Sequence, residues 1–219
     1  MKKLKLILAV IALIFFIKGN AQPFAEDIAA FKKKDSISFP GTGKILFVGS
    51  SSFTKWTDVQ QYFPAYPIIN RGFGGSTLLD VTRYEKEIIF PYKPKQVVMY
   101  CGENDIANDT TVTAKMVFKR FKQLYKDIQH AAGPVPFIYI SMKPSPSRWH
   151  LRKKMIKGNM LIKHFLEKKG SHIIFLNVWD AMLGADGKPK EEIFVDDKLH
   201  MNSKGYTIWQ KLIEPYLLK

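Results

Sequence analysis

Four short segments of this 219-residue chain hold the side chains whose types and spacing could do chemistry. The first is Gly49-Ser50-Ser51-Ser52, a run of hydroxyls. The second is Asn70-Arg71-Gly72-Phe73-Gly74-Gly75-Ser76-Thr77. The third is Cys101-Gly102-Glu103-Asn104-Asp105, and the fourth is Asp197-Lys198-Leu199-His200. Acyl transfer needs a hydroxyl nucleophile, a base within hydrogen-bond reach, a carboxylate to orient that base, and donors for the oxyanion. The serines supply the nucleophile. His200 can be the base, because imidazole is the side chain that changes charge near working pH. Asp197 stands three residues before His200, so a tight turn or a first helical turn can put both on one face. It could then hold one ring nitrogen and leave the other free. Asn104 offers a side-chain N–H. Gly74 and Gly75 let a backbone N–H approach a substrate, since no Cβ blocks it.

These residues need elements that bring them to one place. Short apolar runs at 44–48 (KILFV), 96–100 (QVVMY), 137–140 (FIYI) and 172–176 (HIIFL) read as buried strands, with 67–70 (PIIN) a weaker fifth. Helices are expected near 79–90, 112–131, 150–169 and 203–217. In the second of these, Val117, Phe121, Leu124 and Ile128 make one apolar stripe. Strands alternating with helices predict a parallel sheet covered on both faces. In such sheets ligands bind beyond the carboxyl ends of the strands. Three of the four segments directly follow a strand, and the fourth precedes the last helix.

Taken together, the four segments resemble the SGNH, or GDSL-type, esterase and lipase superfamily, in the family's order and across nearly all of the chain after its leader. Gly49-Ser50-Ser51-Ser52 stands where that family has Gly-Asp-Ser-Leu. The resemblance implies Ser51 as nucleophile, with Gly75 and Asn104 as oxyanion donors alongside the Ser51 N–H. It implies Asp197 and His200 as acid and base. It further implies a flavodoxin-like α/β fold, a three-layer α/β/α sandwich with a five-stranded parallel sheet, and an esterase needing neither cofactor nor metal. Ser50 replaces the family's usual aspartate, and the three adjacent serines leave Ser50 and Ser52 open as nucleophiles on spacing alone. The segment is not a Gly-x-Ser-x-Gly elbow, because Phe53 stands at the second glycine.

Plainer roles stand beside these. Ser51 could cap a helix, Asn104 could hold a turn, and Asp197 could be a carboxylate at a helix start, with Asp196 its competitor. Cys101, the lone cysteine, ends an apolar strand and reads as packing. It also excludes an intrachain disulfide framework. The glycines lack both the G-x-G-x-x-G spacing and a P-loop lysine, which argues against nucleotide binding. No His/Cys cluster has metal-ligand spacing.

Residues 1–21 read as a secretory leader. Lys2, Lys3 and Lys5 precede 12 apolar residues, and Gly19-Asn20-Ala21 makes a cleavage site. Twelve helical residues reach about 18 Å, short of a ~30 Å hydrocarbon core. The expected location is periplasmic or secreted, with residues 22–219 as a single domain. The formal charge is +15. Export turns that charge away from nucleic acid and toward anionic glycans or lipid head groups, or toward a merely solvated basic surface. The basic stretch 148–157 reads as a solvated helix face. The substrate is a small-molecule, glycan or lipid ester. An O-acyltransferase with the same acyl-enzyme, or a non-catalytic glycan- or lipid-binding protein on this fold, are the alternatives.

Overall fold

The computed structural model describes residues 22–219. The leader expected at 1–21 lies outside the described residues. Five strands are formed: β1 (Ile45–Gly49), β2 (Ile68–Gly72), β3 (Gln96–Tyr100), β4 (Phe137–Ile140) and β5 (Ile173–Leu176). They pair in parallel, in the order β2-β1-β3-β4-β5. The helices are α1 (Ala25–Ile37), α2 (Ser51–Thr54), α3 (Val59–Tyr62), α4 (Leu78–Arg83), α5 (Glu85–Ile88), α6 (Glu103–Ala107), α7 (Ala114–Ala132), α8 (Arg152–Leu166) and α9 (Ser203–Ile213).

The continuous apolar runs bury β1, β3 and β4 along their whole length. Alternate residues serve opposite faces. Leu46, Val48, Val97, Met99, Phe137 and Tyr139 join one core with Leu78, Val81, Val117, Phe121, Leu124 and Ile128. Ile45, Phe47, Val98, Tyr100, Ile138 and Ile140 join a second with Phe53, Trp56, Val59, Trp209 and Ile213. The result is the expected three-layer arrangement. The weak run at 67–70 is a full five-residue strand at the sheet edge, paired with β1 from Ile68 to Gly72.

Local chemistry adjusts the expected helices. Thr77 and Asp80 form a capping box that starts α4 at Leu78. The stretch 79–90 then breaks at Tyr84, and Pro91 turns it into a short 3-10 segment. Pro215 likewise ends α9 early and leaves a 3-10 turn. Helix α1 was not expected. It has one buried residue, Ile28, so no apolar stripe announces it. Instead Asp35 pairs with the Arg71 guanidinium at 2.5 Å and accepts the Tyr92 hydroxyl at 2.5 Å.

The register aligns Gly49 with Gly72 on one side and with Tyr100 on the other. Three of the four chemical segments therefore leave the sheet at one edge. Gly49 makes this possible. Its φ is +144°, and a Cβ there would sit 1.9 Å from the Tyr100 carbonyl oxygen. Its own carbonyl accepts the Phe73 N–H at 2.9 Å and the Ser76 hydroxyl at 3.2 Å.

Glu85 on α5 is a cost to the fold. Burial, and then the Asp127 charge, push its carboxyl up to about 7, and its Oε2 has no hydrogen-bond partner. A carboxyl whose folded value exceeds its unfolded one weakens the fold as pH rises from the ordinary carboxylate range through about 7. Glu85→Gln should therefore raise the melting temperature more at pH 8 than at pH 5, and equal gains at both would remove this account. Gly49→Ala should cost about 3 kcal/mol or more in chemical denaturation, because the backbone itself must move.

Candidate active site

The serine segment is shaped from both sides. The Ser50 N–H donates to the Tyr100 carbonyl at 3.0 Å, and the Ser50 carbonyl accepts the Phe53 N–H at 2.9 Å, which starts α2. Asn70 donates its amide to the Phe53 carbonyl at 2.7 Å. Gly72 lets β2 approach, since a Cβ there would meet the Phe53 Cβ at 2.6 Å. Ser50 and Ser52 are both buried. Ser51 alone of the three is partly exposed, in the first turn of α2. Its hydroxyl makes no side-chain hydrogen bond among the described residues. In unliganded sites such bonds often tighten only when substrate arrives.

The glycine segment turns sharply after β2. Gly75 takes φ +84°, the left-handed region, and is exposed. Ser76 anchors the turn by its hydroxyl to Gly49, and its carbonyl accepts the Asn104 amide N–H at 2.9 Å. Asn104 is buried on α6. Its amide nitrogen carries two hydrogens, so the contact to Ser76 orients the group and leaves the second N–H for another acceptor. Asp105 beside it accepts the Leu78 N–H at 2.9 Å and pairs with Arg120 at 2.8 Å, tying α6 to α4 and α7.

The fourth segment is a tight loop closed by the Val195 N–H to the His200 carbonyl at 2.8 Å. Asp197 Oδ2 meets His200 Nδ1 at 2.5 Å. Asp197 Oδ1 accepts the backbone N–H groups of Leu199 and His200 at 2.9 and 2.8 Å. Partial burial works against its charge, but the His200 ring and these two N–H groups outweigh it and hold the carboxyl down at about 2. Asp197, rather than Asp196, is thus the carboxylate bonded to His200. With Nδ1 engaged, Nε2 is the ring nitrogen left for proton transfer. Asn202 then caps α9, and Tyr206 on that helix donates its hydroxyl to the Ser52 carbonyl at 2.9 Å while stacking on Trp56. That contact ties the helix after His200 to the helix that begins at Ser51.

The structure thus links Ser51, Gly75 and Asn104 through Gly49 and Ser76, and joins Asp197 directly to His200. It also reveals a group that the sequence reading passed over. Glu103 is buried between Lys143 Nζ at 3.1 Å and Arg148 at 2.8 Å, and it accepts the Tyr100 hydroxyl. Burial raises its carboxyl, but the two cations outweigh this and leave it below the usual carboxylate range. The Ser147 N–H of the same loop donates to the Lys198 carbonyl at 3.1 Å, so this cluster supports the His200 loop. Arg148 is therefore not part of a solvated basic face. Arg152 lies over the Trp149 ring, and Lys154 donates to the Thr110 and Val112 carbonyls. Only the loop's position after a strand signalled any of this. Cys101 is buried, and burial pushes its thiol well up, which fits packing rather than nucleophilic attack.

With this geometry in hand, comparisons place the chain among known proteins. A search of curated proteins found no match. Among solved structures, a Streptococcus pneumonia protein described provisionally as a platelet activating factor has a TM-score of 0.77 at 18% identity, covering 96% of this chain and 99% of that one. A GDSL-like lipase from Bacteroides thetaiotaomicron has a TM-score of 0.67 at 22% identity, covering 90% and 96%. An acetylxylan esterase from Geobacillus stearothermophilus, a catalytic mutant, has a TM-score of 0.65 at 16% identity, covering 82% and 96%. At these identities the likeness is one of fold. The family model of the GDSL-like Lipase/Acylhydrolase family matches residues 35–208, and the chain belongs to that family.

Proposed function

We propose that the protein is an exported serine esterase that cleaves short-chain, acetyl-type carboxylic esters of small molecules or glycans. One observation carries the reading. The Asp197–His200 pair, 2.5 Å apart, is tied through Tyr206 and Ser52 to the helix that presents the one partly exposed serine of its run. Membership of the acylhydrolase family supports the reaction class. The acetylxylan esterase among the structural relatives supports a small acyl group. Export rests on the leader pattern at residues 1–21.

The chemistry follows from the groups in place. Ser51 Oγ attacks the ester carbonyl carbon as His200 Nε2 takes its proton. Asp197 stays ionised, fixes the ring by Nδ1 and steadies the imidazolium. The oxyanion is held by the Asn104 amide N–H and the Gly75 and Ser51 backbone N–H groups. Asn104 needs no reorganisation, because Ser76 already orients it. His200 then protonates the departing alcohol oxygen and the C–O bond breaks, leaving an acyl ester on Ser51. Water, deprotonated by His200, attacks that ester. The acid leaves and Ser51 recovers its proton.

Two outcomes test this. With p-nitrophenyl acetate, Asn104→Ala should lower kcat about 10²–10³-fold; a loss under threefold removes Asn104 from the oxyanion site. The pH profile is the second. Asp197, at about 2, is a carboxylate throughout pH 4–8 and does not change charge in that window. A protonated imidazole cannot act as base, so kcat/KM should fall as pH is lowered from 8 to 5. A flat profile over that range contradicts His200 as base.

A further inference from the structure

We infer that Phe24, at the start of the described chain, sets the acyl-chain length the site accepts. The inference rests on the esterase reading above and deepens it. Gly75, the proposed oxyanion donor, has no side chain. The atoms nearest to where its Cβ would stand are Cε1 and Cζ of Phe24, at 3.8 and 3.9 Å. Those are ordinary contact distances, so the Phe24 ring borders the small space that the missing side chain of Gly75 leaves open. An oxyanion held by the Gly75 N–H would lie about 3 Å from that nitrogen. An acyl chain that runs from that oxyanion into the open Cβ side of Gly75 meets the Phe24 ring.

The ring is held rather than merely present. Phe24 adopts φ +66°, a left-handed backbone unusual for a side chain of its size. It is kept there by its neighbours. The ring packs edge-on against Phe73 at 5.2 Å, and Phe73 packs edge-on against Tyr84. Tyr84 in turn donates its hydroxyl to the Pro23 carbonyl at 2.7 Å. The Phe24 carbonyl accepts the Ile28 N–H at 3.1 Å as α1 begins, and the other end of that helix is pinned by the Asp35–Arg71 pair. Phe24 also lies outside residues 35–208, the span that matches the family. It is remote in sequence from Ser51, Asn104, Asp197 and His200, so a substitution there leaves the four chemical segments unchanged. A rigid ring beside the oxyanion donor admits an acetyl group and obstructs a longer chain.

The test compares p-nitrophenyl acetate, butyrate and octanoate, which share a leaving group, on the purified wild type, Phe24→Ala and Phe24→Leu. The octanoate-to-acetate ratio of kcat/KM should rise at least tenfold in Phe24→Ala and by a smaller factor in Phe24→Leu. Melting temperature and the rate of labelling by a fluorophosphonate establish that each variant is folded and its serine active. A ratio within twofold of wild type in a folded, labelled variant overturns the inference, and Phe24→Leu decides it if Phe24→Ala does not fold. A ratio that moves instead with the alcohol, in acetate esters of differing leaving group, overturns the assignment of the ring to the acyl side. A folded wild type that neither hydrolyses these esters nor takes the label brings down the esterase reading itself, an outcome distinct from an unchanged ratio.

Discussion

Gly49 has no side chain, and the arrangement of the site depends on that. Its Cα faces the Tyr100 carbonyl so closely that a methyl group would overlap it. In the space thus saved, the end of β1 lies between the ends of β2 and β3, with Gly72 and Tyr100 in register on either side. The Gly49 carbonyl then takes both the Phe73 N–H and the Ser76 hydroxyl. Ser76 passes the connection on to Asn104. The serine, the glycine turn and the asparagine are thus held by one short chain of hydrogen bonds, most of it buried. Under the proposed mechanism these groups are fixed before substrate arrives, and little reorganisation remains for the transition state to drive.

The Asp197–His200 pair is held by a different set of contacts. The loop carrying Asp197 and His200 comes from the far end of the chain and has no strand of the sheet to place it. Tyr206 fixes it from below through the Ser52 carbonyl, and the 143–148 loop fixes it from the side through Ser147. That second loop rests on Glu103 with Lys143 and Arg148. Burying such a cluster carries a large desolvation cost, and it repays that cost only with full pairing. Here each Glu103 oxygen has a cationic partner, and one of them also accepts the Tyr100 hydroxyl. Glu103 of this cluster is next to Asn104 in the chain, and Arg148 is next to Ser147, whose N–H donates to the Lys198 carbonyl. The cluster is placed to hold Asn104 and the His200 loop in a fixed relation.

What could be read from the sequence was what repeats or runs. Strands β3 and β4 were legible to the residue because the sheet buries them on both faces and leaves them uniformly apolar. The amphipathic stripe of α7 was legible for a similar reason. The four chemical segments stood out because their residue types are unusual at strand ends. Helix α1 was not legible, because it buries only Ile28 and carries no apolar stripe, an ion pair and a hydroxyl holding its far end. Arg148 looked solvated for an equally physical reason: its partner Glu103 is 45 residues away, and no periodicity links them. Spacing alone left three serines equivalent. Burial separates them, since Ser50 and Ser52 face inward and Ser51 does not.

The central claim is that Ser51 is activated by His200, and covalent trapping tests it most directly. The purified protein would be treated with a fluorophosphonate probe and the adduct mapped by peptide mass spectrometry. The account predicts a single adduct on Ser51, absent from a folded His200→Ala variant. A folded protein that stays unlabelled, or an adduct on Ser50 or Ser52, would contradict it.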